Sequence, residues 1–245
     1  MSLDLSVVIP AYNEAERLPG SLRRILTYLA AWGGSYEILV IDDGSSDGTA
    51  QRAQEVAGGR VRVLQNPGNR GKGYSVRRGM LAASGARRLM TDADLSTPIE
   101  DLPRLMARMD DGVSIVIGSR ALDESKIEVH QPWYRENMGR VFNLFVRLLM
   151  ASELHDTQCG FKLFSAEAAD AVFRVALMDG FVFDVEALFL AQRRGYQVAE
   201  VPVTWRNDAA SRVGLLKGFR AFPDLLRIRA NEWRGRYRQP KADSC

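Results

Sequence analysis

The chain has 245 residues, 46% hydrophobic and 26% charged, a composition typical of an ordinary globular protein with a substantial core. Its two cysteines argue against a disulfide scaffold and are typical of a reducing compartment. The formal net charge is only +3, but residues 211–241 hold nine Lys and Arg against two acids, so this tail carries +7 and the rest about −4. A basic tail of this kind is expected to face an anionic partner.

The first half of the chain alternates strand-like and helix-like segments joined by short turns. Apolar runs predict strands over residues 5–10, 36–41, 61–64, 89–90 and 113–117. Helical spacing or a capping turn predicts helices over residues 14–32, 47–57 and 73–84. This alternation predicts βαβ units, and therefore an α/β fold with a mostly parallel sheet.

The second half is less regular. We predict helices over residues 133–150, 183–194 and 215–233, and strands over residues 161–164 and 198–205. The expected organisation is one catalytic domain over residues 1–210. A basic amphipathic C-terminal helix and tail over residues 211–245 would pack on the same domain.

Polar side chains follow four of the predicted strands. They are Asn13 and Glu14, Asp42 and Asp43, Asp92 and Asp94, and Ser119 and Arg120. The carboxyl ends of parallel strands meet at one edge of a sheet, where open α/β folds bind their ligands. The sequence therefore predicts a ligand site at this edge.

Asp92-Ala93-Asp94 is the first candidate for chemistry at this edge. Two close carboxylates repel each other unless a cation lies between them, and a hard divalent ion with a diphosphate completing its shell suits them. An isolated tripeptide of this kind is more often a polar turn. Its position directly after an apolar strand makes the metal-site interpretation about as probable as the turn.

Two further segments could bind a nucleotide. Asp42 and Asp43 end a buried strand, where a nucleobase N–H or a ribose hydroxyl would use such acceptors. Residues 66–73 bring Arg70, Lys72 and backbone amides to the start of a helix, an arrangement that suits phosphate. The segment fits neither the Walker pattern nor the dinucleotide fingerprint, and a plain flexible loop explains it equally well.

Asp184 and Glu186 lie in an otherwise apolar predicted helix. Residues two apart on a helix do not share a face, so at most one of them is expected to point into a cleft. Residues 133–150 and 215–233 are amphipathic and basic, which is typical both of an interfacial anchor and of a core-facing helix with solvated arginines. No stretch reaches the roughly 20 apolar residues of a membrane span, and the N-terminus does not resemble a signal peptide.

The ordered motifs resemble those of a known enzyme family. Residues 7–14, 42–49 and 92–94 together resemble the signature of the inverting GT-A glycosyltransferases of family 2. Residues 118–120, 156–164 and 201–205 resemble the dolichyl-phosphate and polyprenyl-phosphate sugar synthases within it. Residues 158–162 and 183–186 look closer to dolichyl-phosphate β-glucosyltransferases than to the mannosyl enzymes. The resemblance implies a GT-A fold, in which a Rossmann-like, mostly parallel sheet is flanked by helices, with C-terminal amphipathic helices.

The resemblance also implies roles for individual residues. The donor-binding residues would be Pro10, Tyr12, Glu14, Asp42, Lys72 and Asp92. Asp92 and Asp94 would hold Mg²⁺ or Mn²⁺ on the diphosphate, although relatives often carry Gln where this chain has Ser96, which leaves a third protein ligand open. The acceptor phosphate would be bound by Arg120, Arg135 and Arg212.

The implied reaction moves a hexose, expected to be glucose from UDP-glucose, to a polyprenyl or dolichyl phosphate at an anionic membrane surface. The protein would be cytoplasmic, peripheral at the cytoplasmic face of the membrane, and without a nucleic-acid partner. Catalysis would involve Asp94 and Arg120. The alternatives are a GDP-mannose-dependent polyprenyl-phosphate mannosyltransferase and a transferase to a saccharide hydroxyl, in which Asp184 or Glu186 would act as general base. A non-catalytic basic module that binds lipid or nucleic acid is the alternative outside this class.

Overall fold

The structure, a computed structural model, describes residues 3–57, 59–129, 133–150, 153–206 and 221–238. For residues 57, 129, 133–140 and 221 it describes the backbone alone. The strands are β1 (Leu5–Ala11), β2 (Tyr36–Asp42), β3 (Val61–Gln65), β4 (Arg87–Thr91), β5 (Ile115–Ser119), β6 (Lys126–Val129), β7 (Phe161–Ser165), β8 (Val198–Pro202) and β9 (Thr204–Arg206). The helices are α1 (Leu18–Trp32), α2 (Thr49–Ala57), α3 (Lys72–Ala82), α4 (Leu102–Asp110), α5 (Trp133–Met150), α6 (Ala166–Phe173), α7 (Phe183–Arg193) and α8 (Ala221–Trp233).

Seven strands form the central sheet in the order β3-β2-β1-β4-β7-β5-β8. Neighbours pair in parallel except at β7, which runs antiparallel to both β4 and β5. The prediction of a mostly parallel α/β sheet is confirmed. Strand β1 is buried along its whole length, which is the reason its sequence is apolar without alternation.

The strand order decides which loops meet. Since β2, β1 and β4 are adjacent and parallel, their carboxyl ends bring together the segments that begin at Tyr12, Asp43 and Asp92. Because β7 is reversed, with Phe161 opposite Thr91, the segment before β7 arrives at this same edge. The edge therefore collects residues from both halves of the chain.

Apolar side chains cover both faces of the sheet. Val7 and Val8 are fully buried and belong to different clusters, as expected when successive strand residues point to opposite faces. Helices α1 and α4 contribute to one cluster, and α3, α5, α6, α7 and α8 contribute to the other. This two-sided packing fixes the sheet on which the site is built.

The structure differs from the predicted elements in three ways, and strand β6 is among the elements that were not predicted. The strand predicted over residues 198–205 is two strands, because after Pro202 the chain leaves the main sheet and β9 pairs with β6 in a separate two-stranded sheet. The short helices α4 and α6 were not predicted. Helix α1 begins at Leu18 rather than near Glu14.

Helix α8 packs on the body of the protein. Leu225 and Ile228 are fully buried, and the ring of Phe222 meets Phe142 and Phe145 of α5 edge to face, at 5.5 and 5.2 Å between centroids. The predicted boundary between residues 210 and 211 lies outside the described residues. Within the described part of the chain, no helix is long and apolar enough to cross a bilayer.

Candidate active site

A cavity of about 310 Å³ opens at the carboxyl edge of the sheet. The predicted donor and metal residues that line it are Pro10, Tyr12, Glu14, Lys72, Asp92 and Asp94. Asp42 does not line it: it is 1% exposed, and its neighbour Asp43 takes that position. The structure thus brings three strand ends and the glycine-rich loop to one cavity.

The carboxylates of Asp92 and Asp94 stand in the turn that follows β4. Burial and the neighbouring Asp92 raise the pKa of Asp94 above its ordinary value. One Asp94 oxygen accepts the backbone N–H of Ser96 at 2.9 Å, and Leu95 between them has a positive φ of 49°. A turn shaped this way holds two acids together although they repel each other.

The ammonium of Lys72 lies against this acidic pair. Its Nζ is 2.7 Å from Asp92 Oδ1 and 5.8 Å from the centre of the Phe183 ring. Burial alone would lower the pKa of Lys72, but the carboxylates of Asp92 and Asp184 outweigh it and raise the pKa above its usual value. Lys72 is therefore a permanent positive charge inside the cavity.

The glycine-rich loop is folded by Asp43. The Asp43 carboxylate accepts the backbone N–H groups of Arg70 at 3.0 Å and Gly71 at 2.8 Å, and the side-chain amide of Asn66 at 2.7 Å. Gly71 has a φ of 105°, a conformation that favours glycine. The alternative of an unstructured loop does not hold, since this carboxylate fixes the loop at the start of α3.

The two candidate bases of α7 point to different places. Asp184 accepts a hydrogen bond from the Nζ of Lys162 at 2.6 Å, and both side chains are almost fully buried. Burial raises the pKa of Asp184, while Lys162 and Lys72 oppose that rise. Glu186 is fully buried, and neither of the two carboxylates lines the cavity. This divergence is what a separation of two residues on a helix produces.

The guanidinium of Arg120 is held in place by Asp156. Nε and Nη2 of Arg120 donate to the two carboxylate oxygens at 2.7 and 2.9 Å, and the backbone N–H of Arg120 donates at 2.9 Å. The Arg120 side chain also lies 5.4 Å from the ring centre of Trp205. Burial alone would lower the pKa of Arg120, but the carboxylate of Asp156 raises it above its usual value. Burial alone would raise the pKa of Asp156, but Arg120 lowers it below its usual value.

Sequence reasoning gave no role to two residues that shape the site, Lys162 and Asp156. Lys162 could have been noticed as a lysine inside an apolar strand, since a fully buried lysine needs an anionic partner. Asp156 lies in the motif of residues 156–164 but had no assigned partner, and Asp43 was expected to contact a nucleoside rather than to fold the loop. Arg135 and Arg212 were also predicted to bind the acceptor phosphate. The side chain of Arg135 and the whole of Arg212 lie outside the described residues.

The donor set at Asp92 and Asp94 fits a magnesium or manganese ion that is shared with a ligand. Such ions are commonly bound by one or two carboxylates and complete their shell with water and substrate phosphates. No group of three described acidic, histidine or cysteine side chains is placed to enclose a metal by itself. Ser96 hydrogen-bonds Asp94 through both its backbone N–H and its side chain.

A Rossmann-like sheet with paired carboxylates, a lysine and a glycine-rich loop at its carboxyl edge defines a nucleotide-sugar-dependent glycosyltransferase of the GT-A class. The sequence model of "Glycosyl transferase family 2" matches residues 6–173. The chain belongs to that family, as its motifs indicated.

Similar proteins support the same family assignment. The chain is 37% identical to a dolichyl-phosphate beta-glucosyltransferase of Dictyostelium discoideum, over 92% of this chain and 73% of that protein. It is 35% identical to the Homo sapiens protein of the same name, over 96% of this chain and 77% of the relative. Its fold is similar to glucosyl-3-phosphoglycerate synthase from Mycobacterium tuberculosis, solved with Mn²⁺, UDP-glucose and phosphoglyceric acid. That structure has a TM-score of 0.68 and 21% identity, over 98% of this chain and 81% of the other.

Proposed function

We propose that this glycosyltransferase moves glucose from UDP-glucose to a dolichyl or related polyprenyl phosphate, with inversion at the anomeric carbon. The names of its relatives support the sugar and the acceptor. The observation that carries the choice of a phosphate acceptor is that neither candidate base is free. Asp184 is hydrogen-bonded to Lys162, and Glu186 is buried away from the cavity.

The donor half of the site binds and orients the nucleotide diphosphate. The folded loop presents Lys72 to the cavity, where its charge would meet the diphosphate. Asp92 and Asp94 would hold Mg²⁺ or Mn²⁺, which when bound would neutralise the charge that develops on the departing diphosphate. Tyr12 and Pro10 line the same cavity and supply apolar surface for the nucleoside.

The acceptor half positions an anion. Arg120 is oriented by Asp156 through two of its guanidinium nitrogens, which leaves further N–H donors for a phosphate. Asp156, which holds Arg120, lies four residues before Gly160, and Gly160 lies directly against the Asp92 carboxylate, so the two halves of the site are neighbours. A phosphate oxygen is already anionic near neutral pH, so alignment and charge stabilisation can supply most of the catalysis without a base.

We extend the proposal to a peripheral position on the cytoplasmic face of a membrane, where the acceptor's polyprenyl chain resides. Helices α5 and α8 pack together and expose large apolar side chains that a lipid surface would cover. Leu148 is 72% exposed, Leu226 is 60% exposed and Trp233 is 80% exposed.

A matrix of donors and acceptors tests the reaction. The purified enzyme, with Mn²⁺ or Mg²⁺, is given UDP-glucose or GDP-mannose together with dolichyl phosphate or a free saccharide, and released nucleotide is measured. We expect the highest kcat/KM for UDP-glucose with dolichyl phosphate, and a β-linked product. A higher kcat/KM with GDP-mannose would refute UDP-glucose as the donor. Efficient transfer to a saccharide hydroxyl would refute the phosphate acceptor and favour Asp184 as the general base.

A further inference from the structure

The buried carboxylate of Glu186 has a set of partners that the proposed reaction does not use. It accepts the backbone N–H of Leu177 at 3.0 Å, that of Met178 at 2.8 Å, and the hydroxyl of Tyr237 at 2.8 Å. Burial raises the pKa of Glu186. A carboxylate removed from water is costly unless it is hydrogen-bonded, so Glu186 and the groups that donate to it depend on each other.

The segment fixed by Glu186 is the one on which the glycine-rich loop rests. The carbonyl of Asp179 accepts the backbone N–H of Gly73 at 2.8 Å and that of Tyr74 at 3.2 Å. A methyl group at Gly71 or Gly73 would overlap the carbonyls of Asp179 or Met178. The loop that carries Lys72 therefore lies directly against residues 178–180, with no room for a side chain between them.

A second contact ties the two segments together further along α3. Arg77 donates to the Asp179 carboxylate at 2.7 Å and to the Ala176 carbonyl at 3.3 Å. Residues 176–179 are thus held by hydrogen bonds with two side chains, Glu186 and Arg77. A shift of residues 177–179 would move the backbone acceptors that place Gly73 and, next to it, Lys72.

Tyr237 anchors Glu186 from the C-terminal end of the described chain. It is only 6% exposed, and its backbone carbonyl accepts a hydrogen bond from Arg194 at 3.2 Å. An ion pair of 2.7 Å between Arg193 and Glu232 holds the end of α8, which leads into this turn, on α7. The turn after α8 is therefore docked on the helix that carries Glu186.

We propose that Tyr237 and Glu186 are positioning residues for the donor site: the Tyr237 hydroxyl fixes Glu186, Glu186 fixes residues 177–179, and these fix the loop that presents Lys72. The inference rests on the proposed function, since it assigns that loop to the nucleotide diphosphate. It makes the C-terminal turn, more than 160 residues from Lys72 in sequence, part of the donor site.

Tyr237→Phe removes the hydroxyl and leaves the ring. Glu186 then keeps its two backbone donors but loses a charge-assisted hydrogen bond. Tyr196→Phe is the matched control, because its hydroxyl also bonds a glutamate, the exposed Glu167 at 3.2 Å. We expect Tyr237→Phe to speed amide hydrogen exchange at Gly73 and Tyr74 and to raise the Kd for UDP with Mn²⁺ about fivefold.

The kinetic pattern separates positioning from a general loss of folded enzyme. Positioning predicts a higher KM for UDP-glucose with an unchanged KM for dolichyl phosphate. A purely structural role predicts a lower kcat through a smaller active fraction, with KM, Kd and the exchange of Gly73 unchanged, and that result would overturn the inference. If circular dichroism shows Tyr237→Phe to be unfolded, the same KM, Kd and exchange measurements on Glu186→Gln decide between the two roles.

The exchange measurement needs no substrate, so the two proposals fail separately. A wild-type enzyme that does not bind UDP would refute the proposed donor while the exchange at Gly73 still tests the link to Tyr237. A wild-type enzyme that binds UDP, with Tyr237→Phe behaving as Tyr196→Phe in both exchange and Kd, would refute only the link.

Discussion

Gly160→Ala should disable the metal site while leaving the fold intact. A Cβ atom built on Gly160 would lie 2.9 Å from Oδ1 of Asp92 and closer still to Oδ2, distances that real Cβ atoms do not adopt. The obstacle is the end of a flexible side chain that is 31% exposed, so the carboxylate can turn away without unfolding the strand. The substitution therefore changes the position of the Asp92 carboxylate rather than the stability of the fold.

The displacement needed to relieve this overlap is on the order of 1 Å, and a misplacement of that size at a reacting centre can cost about 100-fold in rate. We expect kcat/KM for UDP-glucose to fall about 100-fold, equivalent to about 2.7 kcal/mol of transition-state stabilisation. Mn²⁺ binding, followed by electron paramagnetic resonance in the presence of UDP, should weaken in parallel.

Gly20→Ala is the control for glycine replacement. Gly20 lies in α1, and a Cβ atom there would meet nothing within 4 Å. Alanine should stabilise that helix by about 0.5–1 kcal/mol and leave kcat/KM unchanged. A folded Gly160→Ala enzyme that keeps its kcat/KM within about threefold of wild type would refute the reasoning. A loss of activity with undiminished Mn²⁺ binding would give Asp92 a role other than metal binding.

Three further predictions concern the metal, the acceptor and the membrane. Asp94→Asn should abolish transfer and weaken Mn²⁺ binding measured with UDP, as EDTA should in the wild type, and full activity in either case would remove the metal from the mechanism. Arg120→Ala should raise the KM for dolichyl phosphate about tenfold or more and leave the Kd for UDP unchanged, whereas weaker UDP binding would move this arginine to the donor half. Replacing both Leu144 and Leu148 of α5 with Ser should lower vesicle co-sedimentation about tenfold, while Leu81→Ser on α3 should not. Equal vesicle binding by the two variants would show that this face of α5 does not contact the membrane.

The sequence predicted the donor half of the site because that half is built from strand ends. Tyr12, Asp43 and Asp92 directly follow three adjacent parallel strands, so the parallel sheet alone brings these chain positions together. No knowledge of distant contacts is needed for this. The choice between Asp42 and Asp43 was beyond the pattern, because two adjacent acids after a strand differ only in the direction of their side chains.

The acceptor half depends on contacts between distant parts of the chain. Asp156 and Arg120 are 36 residues apart, and they meet only because β7 enters the sheet in reverse. An apolar run of five residues predicts a buried strand but does not indicate its direction. Lys162 and Asp184 likewise meet through this reversal, so no local period could have paired them.

The short helices α4 and α6 were missed for a different reason. Each is only eight or nine residues long, and α4 was overlooked although its apolar residues at 102, 105, 106 and 109 do follow helical spacing. Their stability comes from packing against the sheet, where Leu105 of α4 and Ala169 of α6 are fully buried. Tertiary contact, rather than helix propensity, selects the helix at such positions.

The cations of the site are already paired with carboxylates, and the kind of pairing differs with the task. Arg120 meets Asp156 through two parallel hydrogen bonds, a geometry that fixes the plane of the guanidinium and still leaves donors for a phosphate. Lys72 meets Asp92 at a single point, 2.7 Å away, and an ammonium on a flexible stem can turn from one anion to another. The acceptor half is therefore preorganised by a rigid pair, and the donor half by a loop whose backbone is fixed while its charge can still move. A site of this kind needs little rearrangement of its backbone when the two anionic substrates bind, and most of its reorganisation falls on one lysine side chain.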